Sequence, residues 1–291
     1  MTLGEVLIAT ALTTVVVAGT FAAVGPAHST FASGQERADL QQRLRVAIET
    51  LTRDLRDAAS VRPYRVGAVA DDRAAGIHFR GDRVSVVFPD ARGMGPPADR
   101  SRSYYLKTAG PVSQLMQYDG KETAFPLLDD VIALGFEYFG EPQPPRTLLD
   151  DDAGEPGVRV SYGPAPPPAG ADDLEDGWGP GENCAFRVAD GQHIPRLASL
   201  GGTTPVPLSA AVLTDGPWCP DAAHAARFDA DLLRIRLVRV RLRLQATAPF
   251  RGVEASLFTY AGTASDIRRY VPDSEVRIDV APRNWNAAPA P

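Results

Sequence analysis

The chain has 291 residues, ample for a sizeable buried core, and its 44% hydrophobic content describes a folded protein rather than a disordered one. A net charge of −6 disfavours nonspecific binding to nucleic acid. The 26 glycines and 26 prolines predict many turns and long loops.

The first residues, MTLGEVLIATALTTVVVAGTFAAV, carry one carboxylate, Glu5, at the head of an otherwise charge-free apolar run. Val6 to Val24 predicts a membrane-crossing helix, because about 20 residues at ~1.5 Å each span the ~30 Å hydrocarbon core. No charged side chain follows Glu5 until Glu36. An ionisable group at the membrane edge is expensive without a partner, and the only nearby cation is the α-amine of residue 1. A cleaved signal peptide fits less well: there is no basic n-region, an acid stands near the start, and the apolar stretch exceeds the usual ~7–15 residues.

Leu40, Leu44, Ile48, Leu51 and Leu55 then recur with a period near 3.6, the stripe of an amphipathic helix. Opposite charges four apart, Asp39–Arg43, Glu49–Arg53 and Arg53–Asp57, suit its outer side. Gly19, Gly25 and Pro26 lie between the apolar run and the stripe. Pro26 removes a backbone donor and is expected to kink or open the helix. Pro63 ends the helical pattern. Residues 1–60 are thus expected to form a transmembrane and packing helix, and residues 61–291 a globular head.

From about residue 76 the period changes to two. Ile77 and Phe79, then Val84, Val86 and Phe88, flank Gly81-Asp82 and predict a hairpin. Ser103–Lys107, Val112–Tyr118, Val131–Phe139 and Val158–Tyr162 are further strand candidates. Residues 140–157 and 163–183, rich in Pro, Gly and acids, predict long loops. Residues 184–228 show little periodicity and predict an irregular insertion.

The segment LLRIRLVRVRLRLQ is the strongest strand pattern, but its phase slips. Leu233, Ile235 and Leu237 are apolar at odd positions, Val240, Leu242 and Leu244 at even ones. A one-residue slip turns every side chain over, so a bulge or chain break is expected near Leu237–Val238, with the main strand from there to about Thr247. A last strand is expected at Glu275–Val280. The fold class is therefore α+β, a long N-terminal helix packed by its second half on an antiparallel β-rich head.

The two cysteines, Cys184 and Cys219, lie in the distal half. If the helix crosses a membrane and the head faces an oxidising compartment, a disulfide is favoured over a metal site or a nucleophile, bounding an insertion at 184–219.

The N-terminal run MTLGEVLIATALTTVVVAGTF resembles the start of mature type IV pilins and pseudopilins. Thr2, Leu3 and Glu5 match that pattern directly. Met1 stands where phenylalanine is usual and Gly4 where an aliphatic residue is usual. The LTRDLRDA, VIALGFEYF, RLVRVRLRLQA and VRIDVAPRN segments are similar, more loosely, to the minor-subunit branch, PilW-type minor pilins and J-type minor pseudopilins of type II secretion.

The resemblance implies a prepilin peptidase that removes a basic leader and methylates the new N-terminus, and an inner-membrane assembly platform. It further implies a filament built with other pilin or pseudopilin subunits, in which Glu5 of one subunit pairs with the Met1 amine of a neighbour. It places a single-pass protein in the inner membrane with a periplasmic head before assembly, and in a periplasmic or extracellular filament afterwards. Gly19, Gly25 and Pro26 would permit local melting on leaving the bilayer, or simply kink the exit. Thr10, Thr13 and Thr14 would bond between helices, or satisfy their own helix carbonyls. The retained Glu5 places the subunit below the tip or in the shaft.

Other patterns are weaker. Arg236, Arg239, Arg241 and Arg243 form a basic row that could meet phosphates. No aromatic residues interleave it, so a solvated face paired with acids on neighbouring strands is the preferred reading, and nucleic acid is not an expected partner. Asp150–Asp152 with Glu155, and Asp172, Asp173, Glu175 and Asp176, offer oxygen ligands for calcium but lack EF-hand spacing. Solvated loops are expected, with calcium the alternative and no other cofactor. His28, His78, His193 and His224 are scattered, and no HExxH, CxxC, GxSxG, Walker or GxGxxG pattern occurs, so no catalytic residue is assigned. Trp178 and Trp218 are expected to pack over the disulfide, or to offer a ligand platform.

Overall fold

The structure, a computed structural model, describes residues 2–64, 79–88, 101–109, 112–120, 123–144, 178–219, 228–246 and 273–282. Leu3–Asp57 forms one helix of 55 residues, α1. It runs unbroken through Gly25 and Pro26, so the opening expected there does not occur. Proline removes a single backbone donor, and the helical bonds on either side carry the chain across. The helix ends at Asp57, before Pro63, because the next strand already begins at Ser60.

The leucine stripe is buried as its spacing predicts. Leu40, Leu44, Leu51 and Leu55 are at most 3% exposed, and Ile48 is half-buried. Each fully buried leucine contributes about 1.5–3 kcal/mol. The expected Asp39–Arg43 pair is present at 3.7 Å.

The strands in chain order are β1 (Ser60–Arg62), β2 (Arg83–Val87), β3 (Ser101–Ala109), β4 (Val112–Tyr118), β5 (Ala124–Gly140), β6 (Phe186–Ala189) and β7 (Gln192–Pro195). Then come β8 (Val206–Leu208), β9 (Trp218–Cys219), β10 (Phe228–Asp229), a 3-10 helix (Ala230–Arg234), β11 (Ile235–Leu244) and β12 (Ser274–Val280). The main sheet has the order β1-β2-β3-β4-β5-β11-β12, with β8 added to the end of β5. The pairs β1–β2, β2–β3, β3–β4, β4–β5 and β5–β8 are antiparallel. Contacts divide the chain into two compact units, Met1–Val46 with Arg243–Glu275, and Ala47–Leu242 with Val276–Pro291.

In the second unit, Val84 opposite Tyr104 and Val86 opposite Arg102 share one face of the sheet, whereas Arg83 opposite Tyr105 and Ser85 opposite Ser103 share the other. Both faces are buried there: Tyr104 and Ser85 are 0% exposed, Tyr105 and Arg83 3%. Tyr105, Met116 and Tyr118 cluster on the second face, with the Arg83 guanidinium 5.1 Å from the Tyr105 ring centre.

Several expected elements differ. The hairpin around Gly81-Asp82 is not formed by the described residues: Phe79 and Arg80 are outside any strand, Ile77 lies outside the described residues, and β2 pairs with β1 and β3 instead. Arg80 grips Asp82 through two bonds of 2.9 and 2.7 Å, and Phe79 packs edge-on against Tyr138. β5 starts earlier than expected, at Ala124, and its pairing with β4 shifts between Ser113 opposite Val131 and Leu115 opposite Leu128. Asp130, at φ 60°, takes the left-handed conformation inside this irregularity.

β11 is one continuous strand from Ile235, not broken near Leu237. Ile235 and then Val238, Val240, Leu242 and Leu244 are fully buried, with Arg236 and Leu237 half-buried between them. The change of phase is absorbed within the strand, and Leu233 belongs to the 3-10 helix. The segment 184–228 is not merely irregular: β6 and β7 form a hairpin that turns at Asp190 (φ 53°) and Gly191 (φ 75°), and β9 pairs with β10. The Val158–Tyr162 strand and the acidic runs at 150–155 and 172–176 lie outside the described residues.

Candidate functional site

At the head of α1, Thr2 and Glu5 close the first turn on each other. The Thr2 N–H donates to Glu5 Oε2 at 2.8 Å, and the Glu5 N–H reaches the Thr2 carbonyl at 3.1 Å and lies 3.4 Å from Thr2 Oγ1. This is a capping box, Thr-x-x-Glu, which satisfies helix-start donors that would otherwise be orphaned. Sequence reading noted the charge of Glu5 and missed this local role, although the spacing carries it. Met1 lies outside the described residues.

Beyond Glu5, α1 is long and apolar enough to cross a membrane. An 18-residue window has mean hydropathy 2.1, and none of it is buried within the chain. Its polar groups are satisfied internally. Thr10 donates to the Val6 and Leu7 carbonyls, Thr13 to Ala9, Thr14 to Thr10 and Thr20 to Val17, at 2.7–3.0 Å. The threonines therefore serve their own helix. Gly4, Gly19 and Gly25 have no heavy atom within 4 Å of where a Cβ would stand, so nothing within the chain requires glycine there.

The last turns of α1 hold a polar anchor that the leucine stripe concealed. Asp54 stands between Leu51 and Leu55 and is 2% exposed. It accepts from the Tyr104 hydroxyl at 2.6 Å and from the Arg102 guanidinium at 2.8 Å, while Arg53 lies 3.5 Å away. Burial, then the Asp54 charge, pushes the Tyr104 phenol far above its usual range. The anchor fixes how α1 meets β3, since a buried carboxylate is tolerated only where donors converge on it.

Cys184 and Cys219 form a disulfide with Cα atoms 4.9 Å apart. It sits in a small core of its own, with Ala185, Phe186, Leu197 and Ala230. Trp178 packs against this core as expected; Trp218 lies over Gly216. Glu182 accepts from the Val188 and Gly179 N–H groups and from Arg196, and the Val188 bond leads in holding its carboxyl below the usual range.

The basic row of β11 is met by acids. Arg239 grips Asp279 at 2.8 and 3.0 Å and stands 3.7 Å from Glu137. Arg243 reaches Asp273 at 3.2 Å and Glu275 at 3.9 Å, and Arg236 is 3.9 Å from Glu141. Pairing with neighbouring strands is thus the arrangement observed for these three.

Arg234, 1% exposed, is a further buried cation that sequence reading did not single out. It pairs with Asp231 and donates to the Pro142 and Ala198 carbonyls. Asp229 caps the 3-10 helix by accepting from the Asp231 N–H, and also accepts from the Gly216 N–H, both at 2.8 Å.

Comparison with protein-family models, with curated proteins and with solved structures gives no match.

Proposed function

We propose that this protein is a structural subunit of a filament assembled from the inner membrane, a minor pilin or pseudopilin. The observation that carries the reading is Glu5 on the first turn of a charge-free apolar helix of membrane length, which continues without a break into an amphipathic stripe. The resemblance of the Thr2, Leu3 and Glu5 pattern supports it. The work of such a subunit is helix packing and contact between heads, with no chemistry in it. Its partners are other pilin-like subunits, a prepilin peptidase and an assembly platform.

In a low dielectric a lone carboxylate or ammonium costs several kcal/mol, so Glu5 of one subunit and the N-terminal amine of the next recruit each other. Glu5 also has a partner within its own chain, the Thr2 N–H, which accounts for its tolerance before assembly. Because a neighbour is needed for the pairing, the subunit belongs below the tip or in the shaft.

The test is Glu5→Leu. Membrane insertion is expected to persist while incorporation into filaments falls; incorporation at the wild-type level overturns the reading. A second reading is a membrane-tethered adhesin or binding protein that does not polymerise. The separately cored, disulfide-bonded segment with its β6–β7 hairpin favours it. A basic leader ending in glycine upstream of Met1 in the gene decides for the filament. Copy number in purified filaments separates a minor subunit from a major one.

A further inference from the structure

Cys184 and Cys219 are 6% and 1% exposed, so neither sulfur is open to another molecule in the folded chain. Thiol–disulfide exchange needs such an opening: a thiolate attacks one sulfur along the S–S axis and a mixed disulfide forms. The bond is sealed as it stands, and some part of the chain has to move before it is made or broken.

Each cysteine is held by a frame of its own. Around Cys184 the chain closes on itself. Asn183 Oδ1 accepts from the Ala185 and Phe186 N–H groups at 2.9 and 2.8 Å, and the Asn183 N–H donates to the Phe186 carbonyl at 3.0 Å. Arg196 locks this turn: its guanidinium donates to the Asn183 carbonyl at 2.9 Å and its N–H to the Ala185 carbonyl at 2.8 Å. Around Cys219 the frame is the β9–β10 pair, in which Cys219 stands opposite Phe228. There the Gly216 N–H donates to Asp229 at 2.8 Å and the Ala230 N–H to the Pro217 carbonyl at 2.9 Å.

What joins the two frames is of another kind. Among the described residues no hydrogen bond passes from 179–196 to 216–230. The join is the disulfide and the small apolar core of Ala185, Phe186, Leu197 and Ala230 around it, with the half-buried Trp178 packed against that core. Hydrogen bonds inside each frame survive a separation of the two, whereas the seam is held by contact area alone, so the segment opens there at the lowest cost.

We propose that the Cys184–Cys219 bond is made and broken by dithiol–disulfide exchange in a locally open state, in which these two frames have parted while the main sheet stays intact, and that their docking then seals it. The co-reactant is an oxidising disulfide. One cysteine thiolate attacks it, giving a mixed disulfide and one released thiol; the other cysteine thiolate then displaces the second. Two electrons pass to the donor, which leaves as two thiols carrying the two protons of Cys184 and Cys219. The proposal is independent of the filament reading.

Exchange is reversible, so the rate of breaking the bond reports the same open state. The full chain in detergent micelles is treated with dithiothreitol at rising urea, and released thiols are alkylated and counted by mass. Amide hydrogen exchange of β3 follows opening of the main sheet in the same samples. Without urea, reduction is expected to run at least about 100-fold slower than in the fully unfolded chain, and to rise with urea less steeply than β3 exchange. Trp178→Ala, which thins the seam, is expected to speed native reduction about tenfold and to leave β3 exchange unchanged. Native reduction within about threefold of the unfolded rate overturns the seal. A urea slope equal to that of β3, or an unchanged rate in Trp178→Ala, overturns the local opening. Should that variant fail to fold, the wild-type slopes still decide.

Discussion

The two ends of α1 are the same secondary structure prepared for different surroundings. From Leu3 to Val24 the described side chains are exposed within the chain, the hydroxyls of Thr10, Thr13, Thr14 and Thr20 bond their own helix, and one carboxylate stands at the head. From Ala47 to Asp57 every third or fourth residue is buried, and the one buried carboxylate, Asp54, is bonded by β3. A helix in lipid must satisfy its polar groups alone, whereas a helix on a sheet can export one to a neighbouring strand. The same backbone pattern therefore says little about role; the destination of the polar groups says more.

Substitutions at the two ends should separate sharply. Leu51→Ala, at a position 0% exposed, is expected to cost about 2–5 kcal/mol of unfolding free energy, measured by denaturant titration. Leu12→Ala at the other end should leave that value unchanged, because Leu12 is 61% exposed. If both variants lose stability equally, the distinction between the ends fails.

Opening the disulfide with Cys184→Ser and Cys219→Ser together tests whether the far segment stands on its own. Its 35-residue separation predicts a loss of about 3–4 kcal/mol by loop-closure entropy. Asp54→Ala comes next. It leaves the buried Tyr104 hydroxyl without its acceptor and is expected to cost about 1–3 kcal/mol, with Tyr104→Phe in the same background recovering part of the loss. Smallest is Thr13→Val, which removes one bond to the Ala9 carbonyl on an exposed helix face. A change within about 0.5 kcal/mol is expected in helix thermal stability in micelles.

Legibility in the sequence followed the range of the interactions. The leucine stripe and the β4 strand were readable to the residue, because period 3.6 and period two are local patterns. β11 was readable as a strand, but whether its phase slip breaks the chain depends on its neighbours, and here it does not. Asp54 was hidden because its donors lie 48 and 50 residues away. β8 and β9 are three and two residues long and have no period to read; they exist because β5 and β10 supply partners. At the N-terminus the reverse happened. The Thr2–Glu5 cap is a three-residue spacing, fully local, that was overshadowed by the charge of Glu5 in an apolar run.

The β6–β7 hairpin offers a practical handle. Its tip, Asp190-Gly191, is exposed and turns through two left-handed residues, while the strands behind it are tied to the disulfide core through Phe186 and Arg196. A reporter peptide spliced between those two residues would lengthen the chain where neither packing nor backbone pairing passes. The molecule can then be followed under a microscope, anchored by a core that the added chain does not touch.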